Sequence, residues 1–461
     1  MRKFIGDRKF YRMVLTILIP IVIQNGITNF VSLLDNIMVG QVGTEQMSGV
    51  AIANQLVFVF NLCIFGAVSG AGIFGAQYYG SGDQEGVRDT LRFKLVISAL
   101  LFLAGAAVFL AGGERLISLY LTGESTGNSA EQTLKYGQSY LRIMLFGMLP
   151  FTIVQSYSST LRETGETVLP MKAGIVSVLV NLSLNYLLIF GKLGLPALGA
   201  NGAAIATVIA RYVEGIVIVV QTHRHSGKYR FVRGIFRDFR IPLSLTGQII
   251  RKGMPLMVNE TLWSMGMAIL MQCYSVRGLA VVAGLNISST ITNLFNAVFL
   301  SMGNAVAIII GQLLGAGKME EARDTDYKLI FFSVASCIAV GGCMALFAPF
   351  FPLIYNTTEE VRHMARNFIW VSALCMPLNA FTNVAYFTLR SGGKTLITFF
   401  FDSGYVWAVS IPLAYVLSRF TELPILPLYS LCQFADIFKC AVGYVLVKKG
   451  VWIQKVVGNQ V

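Results

Sequence analysis

Long apolar runs alternate with short polar or basic segments from one end of the chain to the other. The blocks at 95–111, 175–190 and 331–351 contain no charged residue, and each approaches the roughly 20 residues that a helix needs to cross bilayer hydrocarbon. Counting such runs predicts spans near 13–39, 47–78, 91–112, 136–160, 168–190, 198–221, 247–274, 281–312, 327–354, 364–389, 395–418 and 427–447. The expected fold is all-α and membrane-integral, with twelve transmembrane helices.

The pattern repeats. Seven of the fourteen positions in 77–90 are identical in 312–325, an offset of 235, and Gln77, Gly80 and Gly82 recur as Gln312, Gly315 and Gly317. The same offset carries Pro20 onto Pro255 and Gly49 onto Gly284. A second echo, 160–167 against 388–395, follows at an offset of 228. Two pseudo-symmetric six-helix lobes are therefore expected: 1–221, a basic linker at 222–246, and 247–461. An even number of spans per half makes the halves parallel, an arrangement in which secondary transporters hold substrate between rocking lobes. Pro20 and Pro255 lie in the first span of each half, where proline removes a helix hydrogen bond and permits a bend. They are candidate hinges; alternatively, each marks a helix start.

Composition fits this reading. Of 461 residues, 55% are hydrophobic and 13% charged, against about 25% charged in soluble domains. The net charge of +13 could suggest nucleic acid, but its placement argues against such a partner. Arg2, Lys3, Arg8, Lys9 and Arg12, the 222–252 segment, and Lys448, Lys449 and Lys455 fall on one side of a twelve-span chain. The positive-inside rule then puts both termini in the cytoplasm of a plasma (inner) membrane protein, expected to be monomeric. The opposite loops, 122–133 and 356–360, are polar or acidic. Seven cysteines sit in or beside apolar blocks without metal-ligand spacing and read as small core residues. No cofactor is expected.

Ionisable residues inside spans are costly, so each is a functional candidate: Asp35, Arg211, Glu214, Glu260, Asp402, Asp436 and Lys439. Arg211 with Glu214, and Asp436 with Lys439, are spaced i, i+3 and can neutralise each other locally. Asp402 has no such neighbour. Asp35 and Glu260 are each the lone acid in the first span of their half. Their repeat counterparts are Leu270 and Asn25, so the acids stand at different depths and suit two separate sites. An unpaired buried carboxylate can take up a proton or a cation; Asp35, close to Gly40, could instead reach interfacial water. Asn181 and Asn185, one turn apart, and Thr207 on the next helix could complete a site around Asp35 whose oxygens suit sodium, or could serve as interhelical glue.

The segment from Asp35 to Gly40, the repeated Gln-x-x-Gly-x-Gly, the run from Asn181 to Gly191 and Gly202 to Thr207 together resemble the multidrug and toxic compound extrusion (MATE) transporters across the whole chain. The resemblance implies an antiporter that expels small organic cations and other amphipathic compounds in exchange for sodium or protons. It implies an N-lobe cation site at Asp35, Asn181, Asn185 and Thr207, and a C-lobe site at Glu260. At the place of a second C-lobe acid this chain has Asn379, and Asn185 stands where one branch has Asp, so a purely proton-coupled mechanism is also open. Aromatic residues (12%) and 17 Met can wall a cavity for lipophilic cations, though they also suit lipid-facing surface. The competing readings are a lipid-linked oligosaccharide flippase, which the acidic intramembrane charges disfavour, an open channel, and an enzyme, for which no catalytic residue is identified.

Overall fold

The computed structural model describes residues 4–121, 128–238, 240–355 and 357–458. Residues 122–127 and Asn356, parts of the two polar loops, lie outside the described residues. The protein is an all-α integral membrane protein, and no strand occurs among the described residues. The helices are α1 (Arg8–Gly40), α2 (Thr44–Gly80), α3 (Gln84–Leu121), α4 (Asn128–Glu163), α5 (Val168–Phe190), α6 (Ala200–Arg224), α7 (Leu243–Ser275), α8 (Leu279–Gly315), α9 (Met319–Phe347), α10 (Glu359–Ser391), α11 (Thr395–Phe399), α12 (Ile411–Phe420), α13 (Ile425–Phe434) and α14 (Asp436–Lys449). Two π-helical stretches, Phe400–Gly404 and Val406–Ser410, join α11 to α12, and α13 abuts α14 at Ala435. Among the described residues, ten segments are long and apolar enough to cross a membrane. Helices α4 and α7, of 36 and 33 residues, are as long but more polar. At 1.5 Å per residue α3 reaches roughly 57 Å, well beyond the ~30 Å of hydrocarbon.

The chain forms two compact units. One comprises Met1–Val22, Ala76–Gly82 and Met254–Val461; the other comprises Ile23–Gly75 and Asp83–Gly253. The unit boundaries cut through helices: α1 changes unit after Val22 and α7 after Gly253, beside Pro20 and Pro255. Each of these prolines is the thirteenth residue of its helix, well inside it rather than at its start. The 222–246 segment belongs to the second unit.

In the first unit Phe10, Val14, Ile17 and Ile21 pack with Met302, Val306 and Ile309 of α8, Leu389 of α10, and Trp452. Phe4 meets the rings of Tyr327 and Phe331 at 6.4 and 6.2 Å. The repeated glycines make a reciprocal crossing here. A side chain on Gly80 would collide with the backbone of Gln312, and one on Gly315 with the backbone of Gln77. The C-terminal tail closes over it: Gln77 Nε2 donates to the Ser391 carbonyl at 3.0 Å, and Val456 N donates to Gln77 Oε1 at 2.6 Å. Trp452 is fully buried and donates to the Val447 carbonyl at 3.2 Å. In the second unit Val50, Ala53 and Val57 of α2 pack with Leu141 and Met144 of α4, Ile189 of α5 and Ala203 of α6.

Candidate functional site

The second unit assembles a polar cluster from three helices. Asp35 stands on α1. On α5, residues four apart share a face, which aligns Ser177, Asn181 and Asn185. Gly191, with φ at +65°, ends α5, and the chain returns through Leu198 N donating to the Leu188 carbonyl at 2.9 Å. This tight return sets α6 antiparallel to α5 and brings Thr207 level with Asn181. Ser177 ties the same pair of helices by donating to the Ala210 carbonyl at 2.9 Å.

Asn185 Nδ2 donates to Asp35 Oδ1 at 2.6 Å. With its amide nitrogen toward the carboxylate, Asn181 lies 3.2 and 3.3 Å from the two Asp35 oxygens, and its own oxygen accepts from the Thr207 hydroxyl at 3.3 Å. Asn181 and Asn185 are buried, and Asn185 Oδ1 has no hydrogen-bond partner. Among the described residues no basic side chain pairs with Asp35. One carboxylate, two amides and a hydroxyl thus converge with a spare buried acceptor oxygen. The amide nitrogens are turned to the carboxylate, and the oxygens of Asp35, Asn185 and Thr207 are hard donors of the kind that suits sodium, while the carboxylate can equally take up a proton.

The first unit builds a different cluster. Tyr386 of α10 donates to Glu260 of α7 at 3.3 Å. Asn259, also on α7, donates to Asp402 Oδ2 at 3.1 Å and lies 3.4 Å from the Tyr386 hydroxyl. Ser403 donates to Asn259 Oδ1 through its hydroxyl at 2.7 Å and its backbone N–H at 3.2 Å. Lys439 of α14 is paired with Asp402 at 2.8 Å. Asp402 and Ser403 occupy the first π-helical stretch, whose extra residue per turn reaims side chains. Asn379 stands on the same face of α10 as Tyr386, seven residues or about 10 Å earlier along the helix, and forms no side-chain hydrogen bond among the described residues.

Two local pairings are corrected. Lys439 bridges to Asp402 rather than to Asp436, because Asp402 faces α14 from the π-helical stretch. Arg211 does not close an ion pair with Glu214 among the described residues. It lies over the Phe151 ring at 5.0 Å and donates to the Gly147 carbonyl at 3.3 Å.

A sequence model of the family described as MatE matches residues 20–187 and again 255–416. The chain belongs to the MatE family. The two matches start 235 residues apart, the offset that relates Pro20 to Pro255. This MatE chain is 24% identical over 445 residues to "Probable multidrug resistance protein NorM" of Thermotoga maritima, covering 95% of this chain and 92% of the relative. It is 24% identical over 407 residues to "Multidrug resistance protein MdtK" of Pectobacterium atrosepticum, covering 87% and 86%. The solved structure "Crystal structure of MATE in complex with MaL6" superposes with a TM-score of 0.84 at 19% identity over 97% of each chain. A second, "Outward-facing conformation of a multidrug resistance MATE family transporter of the MOP superfamily", gives 0.85 at 19% identity over the same share. These last two establish the fold.

Lys94, Glu163 and Asp326 of the MatE chain are buried charges that a reading of apolar runs does not single out. Lys94 of α3 is fully buried and bonded to Glu163 of α4 at 2.6 Å and to Thr160 at 3.0 Å. Gly72 and Gly75 make room for that carboxylate, since a side-chain carbon on either would press on it. Asp326 of α9 is buried, bonded through one oxygen to Thr388 at 2.5 Å, and its other oxygen has no partner. Thr160 and Thr388 are repeat counterparts, so each half holds a buried charge against the same threonine. The signal available was the 160–167 echo itself.

Proposed function

We propose that this protein is a secondary active antiporter that exports small organic cations and other xenobiotics in exchange for sodium or protons by alternating access. The observation that carries the reading is the Asp35 cluster: a carboxylate with amide and hydroxyl neighbours, no basic partner among the described residues, and a spare oxygen on Asn185. Such a group binds one positive charge at a time. An organic cation and a coupling ion can therefore exclude each other through it, which is the thermodynamic requirement for exchange. The names of the multidrug resistance relatives point to the same class of substrate. The loop charges favour an inner-membrane protein with both termini cytoplasmic. The Glu260 cluster differs, because its neighbouring acid is already neutralised by Lys439. We assign ion coupling to Asp35 and leave to Glu260 and Tyr386 a polar wall of the second cluster.

The test is efflux of a fluorescent organic cation from proteoliposomes under an imposed sodium gradient or, separately, a proton gradient. Wild type is expected to respond to one of them, and Asp35→Asn to lose the gradient-driven component by tenfold or more, on the order of the 1.4 kcal/mol that one decade represents. No response of the wild type to either gradient would overturn the antiport reading.

A further inference from the structure

The segment between α6 and α7 is folded rather than loose. Tyr229, Phe231, Val232 and Ile235 are buried, and a 3₁₀ turn covers Arg230–Val232. Side chains of α3 hold its carbonyls. Arg88 donates to the Phe231 carbonyl at 3.2 Å, and Arg92 to those of Ile235 and Gly234, each at 3.0 Å, while Asp89 orients Arg92 at 2.9 Å. Glu166, just after α4, pairs with Lys228 and accepts from the Tyr229 hydroxyl at 3.0 Å. Burial alone would raise the Glu166 carboxyl, but the hydrogen bonds from Lys228 and Tyr229 outweigh it and hold it below its ordinary value. His223 stacks on Phe236 at 5.7 Å and shares a hydrogen bond with Tyr157.

With its apolar side spent on the protein, this segment presents a one-sided exterior. Arg224, Arg230, Arg233, Arg237 and Arg240 are exposed, and Asp238 is the sole acid between 222 and 246. Phe236 and Leu243 are also exposed, at 61% and 88%, on the stretch from the end of α6, a helix long and apolar enough to span, to the start of α7. We propose that this clasped segment is a binding surface for anionic phospholipid of the surrounding membrane, its guanidiniums on the phosphodiester headgroups and Phe236 and Leu243 at the acyl boundary. Clustered basic residues next to a span attract anionic lipid through their charge. The exposed apolar pair favours lipid over a free phosphate compound, which offers nothing for it to enter.

The experiment titrates the full-length protein, purified in a neutral detergent, with phosphatidylglycerol, with phosphatidylcholine, and with phosphatidylglycerol in the presence of millimolar inorganic phosphate. The variants are R224Q/R230Q/R237Q/R240Q and the matching set of lysines; neither touches the Asp35 or Glu260 clusters. Wild type should bind phosphatidylglycerol and not phosphatidylcholine. The glutamine set should bind on the order of tenfold or more weakly, and the lysine set should retain binding because charge at the surface supplies the attraction. Equal binding of both lipids, unchanged binding by the glutamine set, or loss by the lysine set as well would overturn the proposal. So would full displacement by inorganic phosphate, which would reveal a free-phosphate site instead.

Discussion

Lys94 and Glu163 show what a buried pair demands of its neighbours. Both oxygens of the carboxylate lie within 2.7 Å of the ammonium, and the lysine side chain is wholly excluded from solvent. Removing one partner of such a pair leaves the other uncompensated, at about 3–5 kcal/mol. Lys94→Met should therefore lower the thermal unfolding midpoint sharply, whereas Lys94→Met combined with Glu163→Gln should recover a large part of the loss in the same assay. A double variant as unstable as the single one would mean that the site needs charge rather than neutrality. The acid at position 35 was legible because it is the lone acid in the predicted run 13–39 and opens the Asp35 to Gly40 segment that carries the family resemblance. Lys94 and Asp326 were not, because they fall at the margins of the predicted runs 91–112 and 327–354, where charges are cheap. In the folded chain α3 starts at Gln84 and α9 at Met319, which turns those margins into helix interior. Asp402 could not be paired from spacing: its partner is 37 residues away and reached through a π-helical stretch.

Between elements, the repeated Gln-x-x-Gly-x-Gly is explained by packing. Helices α2 and α8 approach until backbone meets backbone at Gly80 and Gly315, closer than any side chain allows. Gly80→Val should therefore disrupt the crossing, with loss of monodisperse protein in fluorescence size-exclusion chromatography, while Gly112→Val, at a position with open space in front of it, should behave as wild type. Normal behaviour of Gly80→Val would show that the close approach is dispensable. The helices themselves were read well from apolar runs, since a backbone in hydrocarbon must satisfy its own hydrogen bonds. The irregularities were not. Nothing in the residues from Phe400 to Ser410 announces π-helical turns, and the break between α13 and α14 at Ala435 is stabilised from another element by the Tyr405 hydroxyl, 2.6 Å from its carbonyl.

For the whole molecule, the C-terminal tail is part of a unit rather than an appendage. Trp452 is fully buried, and the Gln454 side chain donates to the Gly392 carbonyl at 2.5 Å. Truncating a buried tryptophan costs about 3–5 kcal/mol, so Trp452→Ala should depress the unfolding midpoint; an unchanged midpoint would show that the tail is not held. The twofold repeat in the sequence also does not coincide with the compact units, because residues up to Val22 and the end of α2 belong with residues beyond 253.

That mismatch has a consequence for how the chain is made. Phe4, Tyr11 and Ile17 leave the ribosome long before Tyr327, Phe332 and Met302, against which they pack and which are about 300 residues downstream. At roughly 5–20 residues per second the opening segment waits on the order of 15–60 s for its neighbours. During that interval its aromatic side chains must be sheltered by lipid or by the insertion machinery. The first unit is finished only after Trp452 and Val456, which close it, have been added.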